Sequence, residues 1–229
     1  MSLFAIGDLH LALGAPEKNM EVFGGRWQGY VDKLRRGFEL VGPEDVTVIC
    51  GDLSWAMDLE SALPDFQFLD ALPGRKLLVK GNHDYWWTTA SKMNAFFRRH
   101  GLDSLALLHN NCGFWEDLAL CGTRGWFFEE ETGTSHDEKI LRREVGRLDA
   151  SLKAGGDREK LAFLHYPPLY MAYRCPAMME KLAEYGVKEC YYGHIHGQGC
   201  RSACQGQVEG VTYRLVSADA LDFYPLKIR

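Results

Sequence analysis

Five short runs bring metal-binding and proton-transferring residue types together: Asp8-Leu9-His10, Gly51-Asp52, Gly81-Asn82-His83-Asp84, His165, and Gly193-His194-Ile195-His196. The third is the densest. An amide, an imidazole and a carboxylate in consecutive positions can present a metal ligand, a proton donor and its orienter on one turn. The same residues are also common turn formers, because Asn and Asp hydrogen-bond locally, so the other runs must decide. With His83 and Asp84 set aside as proton donor and orienter, they offer two carboxylates, an amide oxygen and four imidazoles. A mixed oxygen and nitrogen set without thiolate suits Mn, Fe, Zn or Mg better than a soft metal. Seven ligands exceed what one tetrahedral ion needs, and they divide between two ions if one carboxylate bridges. Such a pair would hold a shared hydroxide and clamp a phosphoryl group for in-line displacement.

Each run follows an apolar stretch. Residues 3–6, 46–50, 76–79, 161–164 and 190–192 read as buried strands, so the candidate ligands gather where strands end, the edge at which open α/β sheets bind ligands. An Asp-x-His pair there is expected to point both side chains to one face, because an extended chain alternates. Helical spacing marks residues 25–41, through Trp27, Tyr30, Val31, Leu34, Phe38 and Val41, and also 58–72, 88–100, 137–152 and 178–185. Residues 104–125 read as a β meander, and 205–209 with 211–216 as a hairpin turned at Gly210. The loop 123–133, rich in aromatics and glycines, reads either as a substrate wall or as an aromatic plug at the edge of the core, with the wall preferred. Within it Arg124, and in a second aromatic loop Arg174, are candidate contacts to a phosphate oxygen.

With 46% hydrophobic residues in 229, the chain can bury one sizeable core, and a single domain over 1–229 is expected. A net charge of -5 gives no reason to expect nucleic acid as a partner. The start Met1-Ser2-Leu3-Phe4 carries no basic stretch, so no leader is expected, and no run approaches a membrane span. Seven cysteines, an odd number, suit a reducing cytoplasm. Oligomeric state has no signature here.

In their order, the five runs resemble the signature of the calcineurin-like metallophosphoesterases: Asp-x-His, Gly-Asp, Gly-Asn-His-Asp or Glu, a lone His, and Gly-His-x-His. The resemblance spans residues 8–196, and 215–226 is similar to the closing strands of a small bacterial subgroup of predicted phosphohydrolases. It implies an α/β fold, a four-layer α/β/β/α sandwich of two mixed β-sheets flanked by helices. It also implies a dinuclear, metal-dependent enzyme that hydrolyses a small-molecule phosphodiester or phosphomonoester. Position by position, Asp8, His10 and His196 would bind one ion, Asn82, His165 and His194 the other, and Asp52 would bridge. His83 would protonate the leaving group or stabilise the transition state, oriented by Asp84. The protein-phosphatase branch carries Gly-Asp-x-Val-Asp-Arg-Gly and Gly-Asn-His-Glu, whereas this chain has Gly51-Asp52-Leu53-Ser54-Trp55 and Asp84. That departure disfavours a protein phosphatase. A catalytically silent binding module on the same fold typically lacks ligands, and none is missing.

Overall fold

A strand covered on both faces has apolar residues pointing both ways, and this is how the predicted strands read. The computed structural model describes residues 1–126 and 135–229. In chain order it runs β1 (Leu3–Ile6), α1 (Tyr30–Gly37), β2 (Val46–Cys50), α2 (Leu63–Ala71), β3 (Arg75–Val79), α3 (Ala90–His100), β4 (Leu105–Leu107), β5 (Cys112–Trp115) and β6 (Leu118–Thr123). There follow α4 (Ser135–Ala154), β7 (Glu159–Leu164), the short pair β8 (Leu169–Tyr170) and β9 (Tyr173–Arg174), α5 (Pro176–Glu184), β10 (Glu189–Tyr192), β11 (Gly206–Val208), β12 (Val211–Leu215) and β13 (Leu226–Lys227).

One sheet has the order β13-β1-β2-β3-β4 and the other β11-β12-β10-β7-β6-β5. Both are mixed: each has parallel central strands, with antiparallel partners at β13, β11 and β5. Alternation assigns the layers. Leu3 and Ala5, Val46, Val48 and Cys50, and Leu77 and Val79 meet Leu120, Leu161, Phe163 and Tyr191 between the sheets. Phe4, Ile6, Ile49 and Leu78 turn the other way, onto Leu34, Phe66 and Met93 of α1, α2 and α3. Ala162, Leu164 and Tyr192 of the second sheet pack against Leu148 of α4 and Met178 and Leu182 of α5. The four-layer α/β/β/α sandwich is thus formed as expected.

Three local expectations are corrected. The helical period over 25–41 is interrupted because Gly29 adopts φ +62°, and the α-helix begins only at Tyr30. The stretch 58–72 turns helical only from Leu63. Residues 104–125 are divided between the sheets rather than forming one meander: β4 runs parallel to β3 in the first, while β5 and β6 form a hairpin in the second.

Lys76 is wholly buried, near the start of β3. Its Nζ donates to the carbonyls of Leu72 (2.6 Å) and Gly74 (2.8 Å), satisfying acceptors left by the end of α2. Lys160 does the same near the start of β7, donating to Gly156 and Arg158. Lys76→Met keeps the apolar stem and strands these carbonyls, so it should lower stability by about 1–3 kcal/mol. Urea unfolding checks this; an unchanged midpoint would contradict the role.

Candidate active site

The parallel strands β1, β2, β3, β7 and β10 deliver their following loops to one edge, and backbone hydrogen bonds stitch those loops together. Asp8 N–H donates to Gly51 O (2.8 Å) and His10 N–H to Asp52 O (2.9 Å). Gly193 N–H donates to His165 O (3.1 Å), and His165 and Tyr166 N–H both donate to Arg124 O (3.2 and 2.8 Å). Asp8 and His10 do converge, but for a different reason than strand alternation. Asp8, His10, Asp52 and His194 all have left-handed backbone, with φ of 58°, 47°, 50° and 72°. Each such non-glycine position costs of order 1–3 kcal/mol and persists only where surrounding contacts hold it. Two motif glycines permit the close approach. A Cβ on Gly81 would lie 2.0 Å from Asp52 Oδ1, and one on Gly193 would lie 2.3 Å from Asp8 Oδ2.

All seven candidate ligands are brought together. Asp8, His10 and His196 form one group of mutually close ligand atoms, and Asp8, Asp52 and His165 form a second. His10 Nε2 lies 3.2 Å from His196 Nε2, His165 Nε2 2.6 Å from Asn82 Oδ1, and His194 Nδ1 3.1 Å from Asn82 Oδ1. Adjacent ligands with bonds of about 2.0–2.1 Å at right angles stand about 3 Å apart, a spacing with which these separations are compatible. Asp52 Oδ2 lies between the lobes, 3.8 Å from His10 Nε2 and 3.6 Å from His165 Nε2, while its Oδ1 accepts from His83 N–H at 2.8 Å.

Tautomers follow from the outward contacts. Cys50 O can only accept, so at 3.0 Å it fixes the proton on His165 Nδ1 and leaves Nε2 a lone pair. Asp219 accepts from His196 Nδ1 at 2.9 Å and from Gly197 N–H at 2.8 Å, which fixes the orientation of that ring. Burial lowers the pKa of His10, His165 and His194, the last to about 3, keeping these rings neutral. Burial also lowers His196, but its hydrogen bonds to Asp219 and Asp8 prevail and raise it to about 10. Burial and the charge of Asp8 push Asp52 up to about 8. Neutral imidazoles facing two adjoining buried carboxylates are a donor set that a divalent cation would complete, and the residues therefore fit such an ion.

His83 is half-buried, its ring 4.4 Å from that of Trp55, with Nδ1 3.4 Å from Tyr85 Oη. Asp84 departs from its expected role. Its carboxylate accepts from Gly81 N–H (2.7 Å), Leu53 N–H (2.8 Å), Asp52 N–H (3.0 Å), Ser54 N–H (3.3 Å) and Trp86 Nε1 (3.1 Å). Among the described residues, the His83 ring is not one of its donors. Asp84 instead clamps the loop after β2 to the loop after β3. Burial and Asp52 push its pKa up to about 6, against the pull of these amides.

Arg124 and Arg174 lie apart from each other's contacts. Arg124 stacks over Trp126 at 4.9 Å and pairs with buried Glu144 at 3.3 Å. Arg174 pairs with Glu209 at 2.5 Å on the exposed surface. The substrate wall expected over 123–133 falls outside the described residues beyond Trp126. Sequence reasoning missed Asp219, although it follows β12 just as the other acids follow their strands. It also missed Trp55, which stacks on His10 at 5.0 Å as well as touching His83.

The family model for calcineurin-like phosphoesterases matches residues 1–198. The chain belongs to that family and is a metal-dependent phosphoric ester hydrolase. No curated protein sequence matches it. Among solved structures, it is similar to phosphopantetheinyl hydrolase from Mycobacterium tuberculosis, with 14% identity, a TM-score of 0.63, and coverage of 99% of this chain and 95% of that one. It is also similar to a protein of unknown function from Aquifex aeolicus, with 16% identity, a TM-score of 0.57, and coverage of 99% and 95%. At these identities the likeness is one of fold.

Replacing Asp84 by Ala removes the acceptor of five donors, four of them backbone amides. Asp84→Ala should therefore lose about 3 kcal/mol or more of stability together with metal affinity. Urea unfolding and metal titration check this. A variant with the parental midpoint and metal content, defective only in turnover, would restore the orienting role.

Proposed function

We propose that this hydrolase uses two divalent ions to cleave a small-molecule phosphate ester, a phosphodiester or phosphomonoester. The observation that carries this reading is the pair of ligand clusters with Asp52 Oδ2 between them, within 3.8 Å of His10 and 3.6 Å of His165. Asp8, His10 and His196 would hold one ion and Asn82, His165 and His194 the other, with Asp52 available to both. Mn, Fe or Zn suits this oxygen and nitrogen set best, with Mg next. When bound, the ions would supply Lewis-acid chemistry, neutralising phosphoryl charge and activating water.

The chain's own residues supply the rest. The Cys50 carbonyl holds the proton on the outward nitrogen of His165, keeping its inward nitrogen as a ligand, and Asp219 fixes the orientation of the His196 ring. Trp55 and Tyr85 hold the His83 ring, which gives a proton to the leaving-group oxygen. Burial and His165 lower the His83 pKa, making its imidazolium a stronger acid. Arg124 is the better of the two arginine candidates for a substrate phosphate, because its carbonyl accepts from the amides of His165 and Tyr166 beside the ligands, whereas Arg174 pairs with Glu209 on the exposed surface. Pairing of β13 with β1 ties the chain's end to its start, in keeping with one catalytic unit over 1–229. Seven unpaired cysteines support a reducing, cytoplasmic setting. Among the described residues, no helix is long and apolar enough to cross a membrane.

His83→Ala should retain both ions by elemental analysis while kcat for bis(p-nitrophenyl) phosphate with added Mn falls about 10²- to 10⁴-fold. Loss of the ions instead would make His83 a ligand and overturn its assignment. An inactive but metal-loaded parental protein would favour a binding module.

A further inference from the structure

Lys80, just after β3, and Arg124, just after β6, meet Ile140, Arg143, Glu144 and Arg147 of α4 around a cleft of about 210 Å³. Apart from Arg124, this cleft has no task in the reaction above. Among the described residues its charges do not balance. Buried Glu144 accepts from Thr123 Oγ1 (2.6 Å), Arg147 Nη1 (2.6 Å) and Arg124 Nη2 (3.3 Å), so among the described lining residues one carboxylate faces four cations. Among the described residues, neither Lys80 nor Arg143 has a carboxylate partner. The Arg124 Nε is buried and also lacks an acceptor. Gathering like charges with unused donors is unfavourable unless an anion offsets them, and guanidinium forks match phosphate oxygens.

The cleft is anchored to the metal-binding edge. Lys80 is two residues from Asn82, which limits their Cα separation to about 7 Å. Arg124 accepts from the amides of His165 and Tyr166 through its carbonyl. Its guanidinium stacks on Trp126, whose ring lies 5.6 Å from Tyr166, which in turn lies 4.4 Å from the His194 ring. The backbone step and a lysine side chain together bound the distance from Asn82 to the Lys80 ammonium at on the order of 10 Å.

We propose that this cleft is a second-anion subsite, and that the substrate class is a small molecule with two phosphoryl groups. One is held at the strand-end ligands and the other among Lys80, Arg124, Arg143 and Arg147. The inference rests on the phosphoesterase reading, and a chemical ruler separates the two. Hexane-1,6-diyl bisphosphate and hexyl phosphate are compared as inhibitors of bis(p-nitrophenyl) phosphate hydrolysis by the Mn-loaded protein, and as ligands by calorimetry. The bisphosphate should bind at least tenfold more tightly, and in the double variant Lys80→Gln/Arg143→Gln the ratio should fall to within twofold of one. Equal binding of the two probes, or an advantage that survives the double variant, overturns the subsite. Absence of hydrolysis overturns the phosphoesterase reading instead, while the calorimetric ratio still decides the subsite.

Discussion

Two carboxylates, Asp8 and Asp52, are buried beside one another with His165 at the meeting of two sheets, and the local structure exists to keep them there. Left alone, such a pair is unfavourable: desolvation and mutual repulsion push Asp52 upward in pKa. The surroundings resist rather than relax. Asp8 accepts the His194 amide with both oxygens, at 2.9 and 3.0 Å, across the junction between sheets. Asp52 is held by the His83 amide, and the loop that carries it is clamped by Asp84. Left-handed backbone at four ligand positions adds further cost. A site that is electrostatically unfavourable when empty and sterically prearranged gains from a cation both charge neutralisation and freedom from reorganisation.

The two sheets contribute unequal parts to this arrangement. The first supplies Asp8, His10, Asp52, Asn82 and His83 from the ends of β1, β2 and β3, and the second supplies His165, His194 and His196 from the ends of β7 and β10. Neither sheet alone completes either ligand group. The apolar layer between them, with Phe163 stacked on Tyr191 at 5.4 Å, therefore sets the spacing of the ligands as well as the stability of the fold. Beyond the candidate ligands, Lys80 and Arg124 carry positive charge from the strand ends toward α4.

Much of this was legible in the sequence because buried strands and ligand motifs coincide. Val46–Cys50 was expected with its observed bounds, since apolar residues on both faces of a strand leave little ambiguity. That the seven candidate ligands converge was legible because each follows such a run. Conformation at single residues was not. Gly29 breaks a helical period, and the left-handed turns at Asp8 and His10 aim side chains that an extended chain would have aimed otherwise. Asp84 was misread because which groups a carboxylate meets depends on how two distant loops fold over it. Asp219 escaped because its partner, His196, is 23 positions earlier and only the pairing of β12 with β10 brings them together.

The central claim is that the two ligand groups hold two ions with Asp52 between them. Anomalous diffraction from crystals grown with Mn measures this directly. The account predicts two peaks about 3.5–4 Å apart, one beside Asp8, His10 and His196 and one beside Asn82, His165 and His194, with the Asp52 carboxylate between them. A single peak at full Mn occupancy, or two peaks without Asp52 between them, would contradict it.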